Sequence, residues 1–470
     1  MWTQRDQLQA YQFLRRRIVS ALQFGDANHP VAPGRRVVVA TAAGLGAMLL
    51  ICGGFLVLGV LRPGSGADWR TPGQILIEKE SGAGFVLGAD GLVHPVLNYA
   101  SARLLIGGDR TTTITAKSLA GAPRGRPLGI PDAPASLAAP GALIAGPWAV
   151  CAGGPAQGSA GRGGTGEAGE AAAVTTLVIG RPAGSRRVAR DQGVIVAGAD
   201  GTRHLLTDGR RLRLRGNAVA ALGWDAVPPT PVGDGWLGAV PEGPELALLT
   251  VTGSGAAGPR LAGRRTRVGQ VLLAEGVDGE NRYYLAKRDT LVPIGQTEAA
   301  LIVGNPDNRA AYPDGVARPV RVSAADLTAS GLVARRTEVR PYPARLPELV
   351  RGDGVLCAGG SQFWTARTPP LPAGGRALPV AAAARRSGAA DQVYVTPGAG
   401  LLVAGPPGQD GASPIYLVTD QGVRFRLRDR DDAAALGYRD TPPTTVAAGL
   451  LELLPSGPEL STEAARQEVK

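Results

Sequence analysis

The chain has 470 residues, room for two or three domains, and a formal net charge of +11. Lys occurs only at positions 79, 117, 287 and 470, so the positive charge is almost all Arg, spread along an Ala-, Gly- and Pro-rich chain. Dispersed charge and only 4% aromatic residues argue against nucleic acid as a partner.

Residues 2–24 read as an amphipathic helix. Leu8, Tyr11, Leu14 or Ile18, and Leu22 recur at helical spacing, while Arg15, Arg16 and Arg17 ring the other side. That helix suits a cytosolic partner or anionic lipid, or serves only as a topology signal. Asp26 to Pro33 is a breaker. Val37 to Leu61 then runs for 25 residues without a charge, an Asn or a Gln, long enough as a helix to cross a hydrocarbon core of about 30 Å. Six arginines precede it (Arg5, Arg15, Arg16, Arg17, Arg35, Arg36), and Arg62-Pro63-Gly64 ends it. The positive-inside rule puts the N-terminus in the cytosol and residues 62–470 outside. The run is too long and starts too late for a cleaved signal peptide, so it reads as a signal anchor in the cell membrane.

Beyond the span the chain repeats itself. Gly73-Gln74-Ile75-Leu76 returns as Gly269-Gln270-Val271-Leu272, and Val150-Cys151-Ala152-Gly153-Gly154 as Leu356-Cys357-Ala358-Gly359-Gly360. Ala220-Ala221-Leu222-Gly223-Trp224 returns as Ala434-Ala435-Leu436-Gly437-Tyr438, followed in each copy by a Pro-Pro pair. The offsets rise in order, as a tandem duplication with later insertions requires. Each half also holds two copies of a smaller unit. The first has strands at 75–78, 85–87 and 92–97, a turn at Asp90-Gly91 and a helix at 100–106. The second has strands at 194–197, 204–206 and 212–214, a turn at Asp208-Gly209 and a helix at 218–222. Arg211 to Arg215 and Arg424 to Arg428 alternate strictly and read as half-buried strands with Arg outward.

These readings divide the chain into a cytosolic helix and linker (1–36), a transmembrane helix (37–61), repeat unit 1 (62–108), a first half of a central domain (109–190), repeat unit 2 (191–250), repeat unit 3 (265–335), a second central half (336–396) and repeat unit 4 (397–464). The Gly-, Ala- and Glu-rich stretch 152–173 is expected as a mobile loop, and 370–387 and 252–258 resemble it.

Chemistry is sparse. No Gly-Lys pair occurs, so there is no phosphate-cradling Gly-x-x-x-x-Gly-Lys-Ser/Thr. The Gly-x-Gly-x-x-Gly at Gly161, Gly163 and Gly166 lies inside the low-complexity stretch, without the strand and helix a dinucleotide site needs. No Gly-x-Ser-x-Gly, His-Glu-x-x-His or Cys-x-x-Cys is present. His29 falls in the cytosolic part, and His94 and His204 sit in strands of equivalent units, where they read as packed or hydrogen-bonded residues. No catalytic, cofactor-binding or metal-ligating residue is assigned. Cys52 lies in the span; Cys151 and Cys357 lie outside, in a space that permits disulfides.

Taken together the chain resembles the EccB family, a membrane core component of the type VII (ESX) secretion systems of actinobacteria. The marks are Tyr11-Gln12-Phe13-Leu14-Arg15-Arg16-Arg17 before the span, and Arg62-Pro63 with Trp69 after it. Glu78 to Ala83, the long His94-Pro95-Val96-Leu97-Asn98-Tyr99-Ala100-Ser101-Ala102-Arg103-Leu104 block, Pro127 to Pro131 and Trp148-Ala149-Val150-Cys151 complete them. The short link between Phe24 and Arg35 and the Gly-rich insertion after Cys151 depart from the pattern. The resemblance implies an α+β, mainly β, fold: one N-terminal transmembrane helix and an elongated, pseudo-two-fold outer domain of four small repeat units around a central β-rich domain with one disulfide. It implies a homo-oligomer assembled with the other core membrane subunits, including the FtsK/SpoIIIE-type motor ATPase; no cofactor is expected. The function expected is a structural subunit of the secretion complex. The alternatives are an extracytoplasmic ATP hydrolase, since members are sometimes labelled ATPases, and a cell-wall-binding module. Because Cys151 and Cys357 hold equivalent places in the two halves, a near-two-fold axis brings them together, and they are expected to pair.

Overall fold

The computed structural model describes residues 3–28, 35–61, 69–153, 173–180, 184–276, 278–334, 341–352, 354–381, 386, 388–409 and 411–469. His29, the Arg62-Pro63-Gly64 stop and the glycines at 161, 163 and 166 lie outside them. The chain divides into two compact parts, Met1–Thr71 and Pro72–Lys470.

In the first part, the Asp6 carboxylate accepts the Thr3 backbone N–H at 3.0 Å, which caps the Gln4–Phe24 helix, and Gly25 ends it in the left-handed region. Its Leu8, Tyr11, Leu14, Ile18 and Leu22 are all exposed. A second helix, Arg35–Leu61, contains the stretch Arg36–Leu56, long and apolar enough to cross a membrane.

The second part is mixed α and β, mainly β. It holds four sheet modules with one strand order, 3-2-1-4. In each, three antiparallel strands form a meander, a helix follows, and a fourth strand returns parallel to the first. The meanders are Ile75–Glu78, Gly84–Leu87 and Val93–Pro95; Gln192–Ala197, Arg203–Thr207 and Arg210–Arg213; Val271–Glu275, Asn281–Ala286 and Leu291–Ile294; and Leu401–Ala404, Ile415–Val418 and Arg424–Leu427. The fourth strands are Thr111–Ile114, Thr230–Pro231, Val320–Arg321 and Thr444–Thr445. The chain then passes a further short helix and runs beside the third strand, as at Leu214 with Leu246 and Leu427 with Leu460. Alternation sets the faces: Leu212 and Leu214 are buried while Arg213 and Arg215 are exposed.

A seven-stranded sheet lies between the modules, in the order Leu378–Pro379, Gln392–Val395, Thr175–Ile179, Trp148–Ala152, Val355–Gly359, Gln362–Ala366, Arg186–Arg187. The modules do not pack in chain order. Ala100, Leu104 and Ile130 of the first share a core with Leu402, Phe425, Leu436 and Tyr438 of the fourth. Leu301 of the third enters the core of the second beside Leu205, Leu222 and Trp224. The Asp234–Ala239 and Ala448–Glu452 helices, from the second and fourth modules, meet over the seven-stranded sheet. There Trp236, Leu237, Leu451 and Leu453 join Val150, Leu177, Leu356 and Phe363 in the largest core. Contact therefore runs from first module to fourth, across the central sheet, and from second to third.

Three sequence boundaries shift. The end of repeat unit 1 at 108 cuts off Thr111–Ile114, which pairs along its whole length with Ile75–Glu78; a mostly exposed Thr-rich strand carries no apolar alternation to announce it. Ala152, expected as the start of the mobile loop, is the buried last residue of the Trp148–Ala152 strand, and positions 154–172 of that stretch lie outside the described residues. The loop at 252–258 runs into a two-stranded hairpin, Ala257–Leu261 with Arg264–Arg267, ahead of the third module.

Candidate functional site

The seven-stranded sheet is where the two halves of the chain meet, and it interlaces them. Its fourth and fifth strands, Trp148–Ala152 and Val355–Gly359, are antiparallel with Cys151 directly opposite Cys357. The two cysteines are joined by a disulfide, both fully buried, with 4.0 Å between their Cα atoms. Gln392–Val395, from the second half, lies beside Thr175–Ile179 of the first. Arg186–Arg187, from the first half, lies beside Gln362–Ala366 of the second. The indole N–H of buried Trp236 donates to the Val150 carbonyl at 3.1 Å, and the Thr175 N–H donates to the Asp391 carboxylate at 2.8 Å. Valleys that would need side chains are closed by backbone: a Cβ on Gly235 would overlap the Gly388 carbonyl, and one on Gly449 the Gly238 carbonyl.

A second junction joins the first and fourth modules. The Arg103 guanidinium donates to the Leu436 carbonyl at 3.0 Å, at the C-terminal end of the Arg430–Ala435 helix, where the helix dipole favours a cation. Leu436 precedes Gly437, whose φ is +100° and whose missing Cβ leaves the room that the Arg103 fork occupies. Tyr438 follows, its hydroxyl donating to the Ala138 carbonyl at 2.8 Å and its pKa pushed up to about 12 by burial. The chain's end is tied to the same module: the Val469 N–H donates to the Pro127 carbonyl at 2.9 Å, and Arg126 pairs with Glu468.

The His-to-Leu block 94–104 builds this junction. The His94 ring faces two acceptors, the Arg126 carbonyl at 2.9 Å from Nδ1 and the Asp90 carboxylate at 3.1 Å from Nε2. The Asn98 side chain accepts from the Ser101 N–H and hydroxyl and donates to the Ile130 carbonyl, capping the Tyr99–Ile106 helix and pinning the following segment to it. His204, in the second module, is buried with its Nδ1 unpartnered; burial, then Arg211, holds its pKa below the ordinary His value. Arg103 and Gly437 escaped the sequence reading as a pair. Each stands in a motif that signalled it, the 94–104 block and the repeated Ala-Ala-Leu-Gly-aromatic run, but nothing in one points to the other.

Among the described residues, no three His, Cys, Asp or Glu side chains gather in a group that could hold a metal ion. Two clefts are open to solvent. One of about 840 Å³ lies between Arg190, Arg210 and the Pro341–Glu348 segment, and one of about 630 Å³ lies beside Trp148 and Trp364.

A family model described as the type VII secretion system ESX-1 transport TM domain B matches residues 1–470. The chain belongs to the EccB family. An EccB relative from Mycolicibacterium smegmatis, named the ESX-3 secretion system ATPase EccB3, is 32% identical over 97% of this chain and 89% of its own length. The ESX-5 secretion system ATPase EccB5 of Mycobacterium tuberculosis is also 32% identical, over 97% of this chain and 92% of its own. A chain of the solved intact ESX-5 inner membrane complex superposes with a TM-score of 0.68 at 26% identity, covering 100% of this chain and 96% of that one. The solved EccB3 dimer from the ESX-3 core complex gives 0.65 at 27% identity, over 84% of this chain and 99% of that one.

Proposed function

We propose that this EccB chain is a scaffold of the type VII secretion membrane complex, holding mass and spacing on the outer side of the membrane while another subunit supplies energy. The observation that carries it is the interlaced central sheet, with Cys151 and Cys357 on its adjacent fourth and fifth strands. An element that exchanges strands between halves and buries its crosslink resists being pulled apart. In this reading the four sheet modules are repeat units of one duplicated half, related by a pseudo-two-fold axis through the Cys151–Cys357 pair. The N-terminus is cytosolic and residues 62–470 are extracytoplasmic. The partners are the other core membrane subunits, with an FtsK/SpoIIIE-type motor ATPase among them, and a second copy of this chain, as in the EccB3 dimer.

The relatives' names favour a second reading, ATP hydrolysis by this chain itself. One preparation separates the two. Crosslinking in native membranes, followed by purification on this chain, is expected to recover the core subunits and the motor. After the motor is stripped away, the full chain is expected to turn over no ATP beyond the rate of a boiled sample. Turnover that persists and is lost on a single substitution in this chain would overturn the scaffold reading.

A further inference from the structure

The hairpin Ala257–Leu261 and Arg264–Arg267 stands ahead of the third module and forms a sheet of its own. Its two-residue turn, Ala262-Gly263, has positive φ at both positions, the turn that suits the twist of a tight hairpin. Leu261 is buried among Leu272 and Leu327, and buried Thr266 donates to the Pro259 carbonyl at 2.7 Å. Those contacts seat one face on the module. The other face is basic. Arg265 and Arg267 flank Thr266 and are exposed, and exposed Arg260 is the direct cross-strand partner of Arg265. Arg264, beside the turn, is exposed as well.

Like charges directly opposite one another destabilise a strand pair. Some exposed arginines in or beside the other sheets are balanced, as Arg215 is by Glu245, Arg428 by Glu463 and Arg282 by Asp278. Among the described residues no carboxylate lies within ion-pair distance of Arg260, Arg264, Arg265 or Arg267. We propose that this face is a docking surface for an extended acidic segment of a partner polypeptide. The guanidinium fork matches a carboxylate with two parallel hydrogen bonds. Arg265 and Arg267 are two residues apart on one strand face, about 6.8 Å, which is the spacing of alternate side chains in any extended peptide. A peptide with carboxylates at every second position therefore meets them in register. A phospholipid surface fits less well, because lipid headgroups are mobile single charges with no fixed two-residue spacing to match the strand. Edge protection by charge explains one arginine on such a hairpin, yet not a like-charged pair placed face to face.

The test uses the full chain in phosphatidylcholine nanodiscs and a fluorescein-labelled peptide of five Glu-Ala repeats, read by fluorescence anisotropy. Binding is expected to weaken at least tenfold for the matching Gln-Ala peptide, for the R260E/R265E variant, and between 50 and 500 mM salt. R260K/R265K is expected to lose less than R260E/R265E. Folding is controlled with Arg265→Glu alone, which puts opposite charges across the strands and should leave hydrogen exchange at Thr266 unchanged. Equal affinity for the Gln-Ala peptide, or no loss in R260E/R265E, would overturn the proposal. So would arginine-dependent binding to phosphatidylglycerol vesicles without binding to the Glu-Ala peptide.

Discussion

The contact between the first and fourth modules can be taken apart with two substitutions. Gly437→Ala asks an L-residue to hold φ near +100° and puts a methyl where the Arg103 fork sits. The backbone cost is about 1.5 kcal/mol. Displacing the fork removes its bond to the Leu436 carbonyl, a hydrogen bond to a charged group in a half-buried place, worth about 1.5 kcal/mol at the low end of the range. The sum, about 3 kcal/mol, corresponds to roughly a hundredfold change in a local opening equilibrium. Hydrogen exchange by mass spectrometry on the full chain reads it at the Tyr99–Ile106 and Arg430–Ala435 helices, with the Ala218–Ala221 helix of the second module as an internal control. In an Arg103→Ala background the added methyl meets open space, so Gly437→Ala should cost only the backbone part, a coupling of about 1.5 kcal/mol between the sites. An equal cost in both backgrounds would mean that Gly437 answers to its own φ alone, and that Arg103 is not the key to this junction.

Gly235→Val and Gly449→Val should each destabilise the central contact by about 3 kcal/mol, because a side chain there meets backbone carbonyls that cannot swing aside. Gly121→Ala, in open space, serves as the neutral comparison, and denaturant midpoints on the full chain compare the three. His204 gives a pH dependence. Its folded pKa lies below the unfolded value, so the unfolded chain binds the proton more readily. Stability from this site is full above about pH 6.5 and falls as pH drops below it. His204→Leu should flatten that part of the acid limb, and an unchanged limb would remove His204 as its source. Protease added outside wall-stripped cells should cut the chain after Leu61 and spare the N-terminal helix and span; cutting at Arg215 and Arg426 only after lysis would reverse the orientation.

The strands were legible where apolar and polar residues alternate between turn residues, as in Arg211 to Arg215 and Arg424 to Arg428. The returning parallel strands were not. Thr230–Pro231 and Thr444–Thr445 are two residues long, and Thr111–Ile114 is polar, so neither length nor pattern marks them. The 257–267 hairpin hid for a similar reason: Ala, Gly, Pro and Arg dominate there, with no apolar face beyond Leu261. The partner order, first with fourth and second with third, depends on contacts between segments far apart in the chain, such as Arg103 to Leu436, which no local periodicity encodes. The cysteine pair could be read because it repeats. Two copies of a hydrophobic-Cys-Ala-Gly-Gly segment become adjacent antiparallel strands, and the register sets each cysteine opposite the other.

The two halves are tied at their centre, and a thiol count tests that tie most directly. Closing a loop across a separation of 206 residues constrains the unfolded chain by about 5 kcal/mol in the chain-entropy model, an upper figure. The full chain, extracted from native membranes and denatured without reductant, is treated with an alkylating reagent and weighed intact. One alkyl group is expected, on Cys52, the free cysteine, and three after reduction. Three before reduction would leave Cys151 and Cys357 unjoined, and the halves held by the interlaced strands alone.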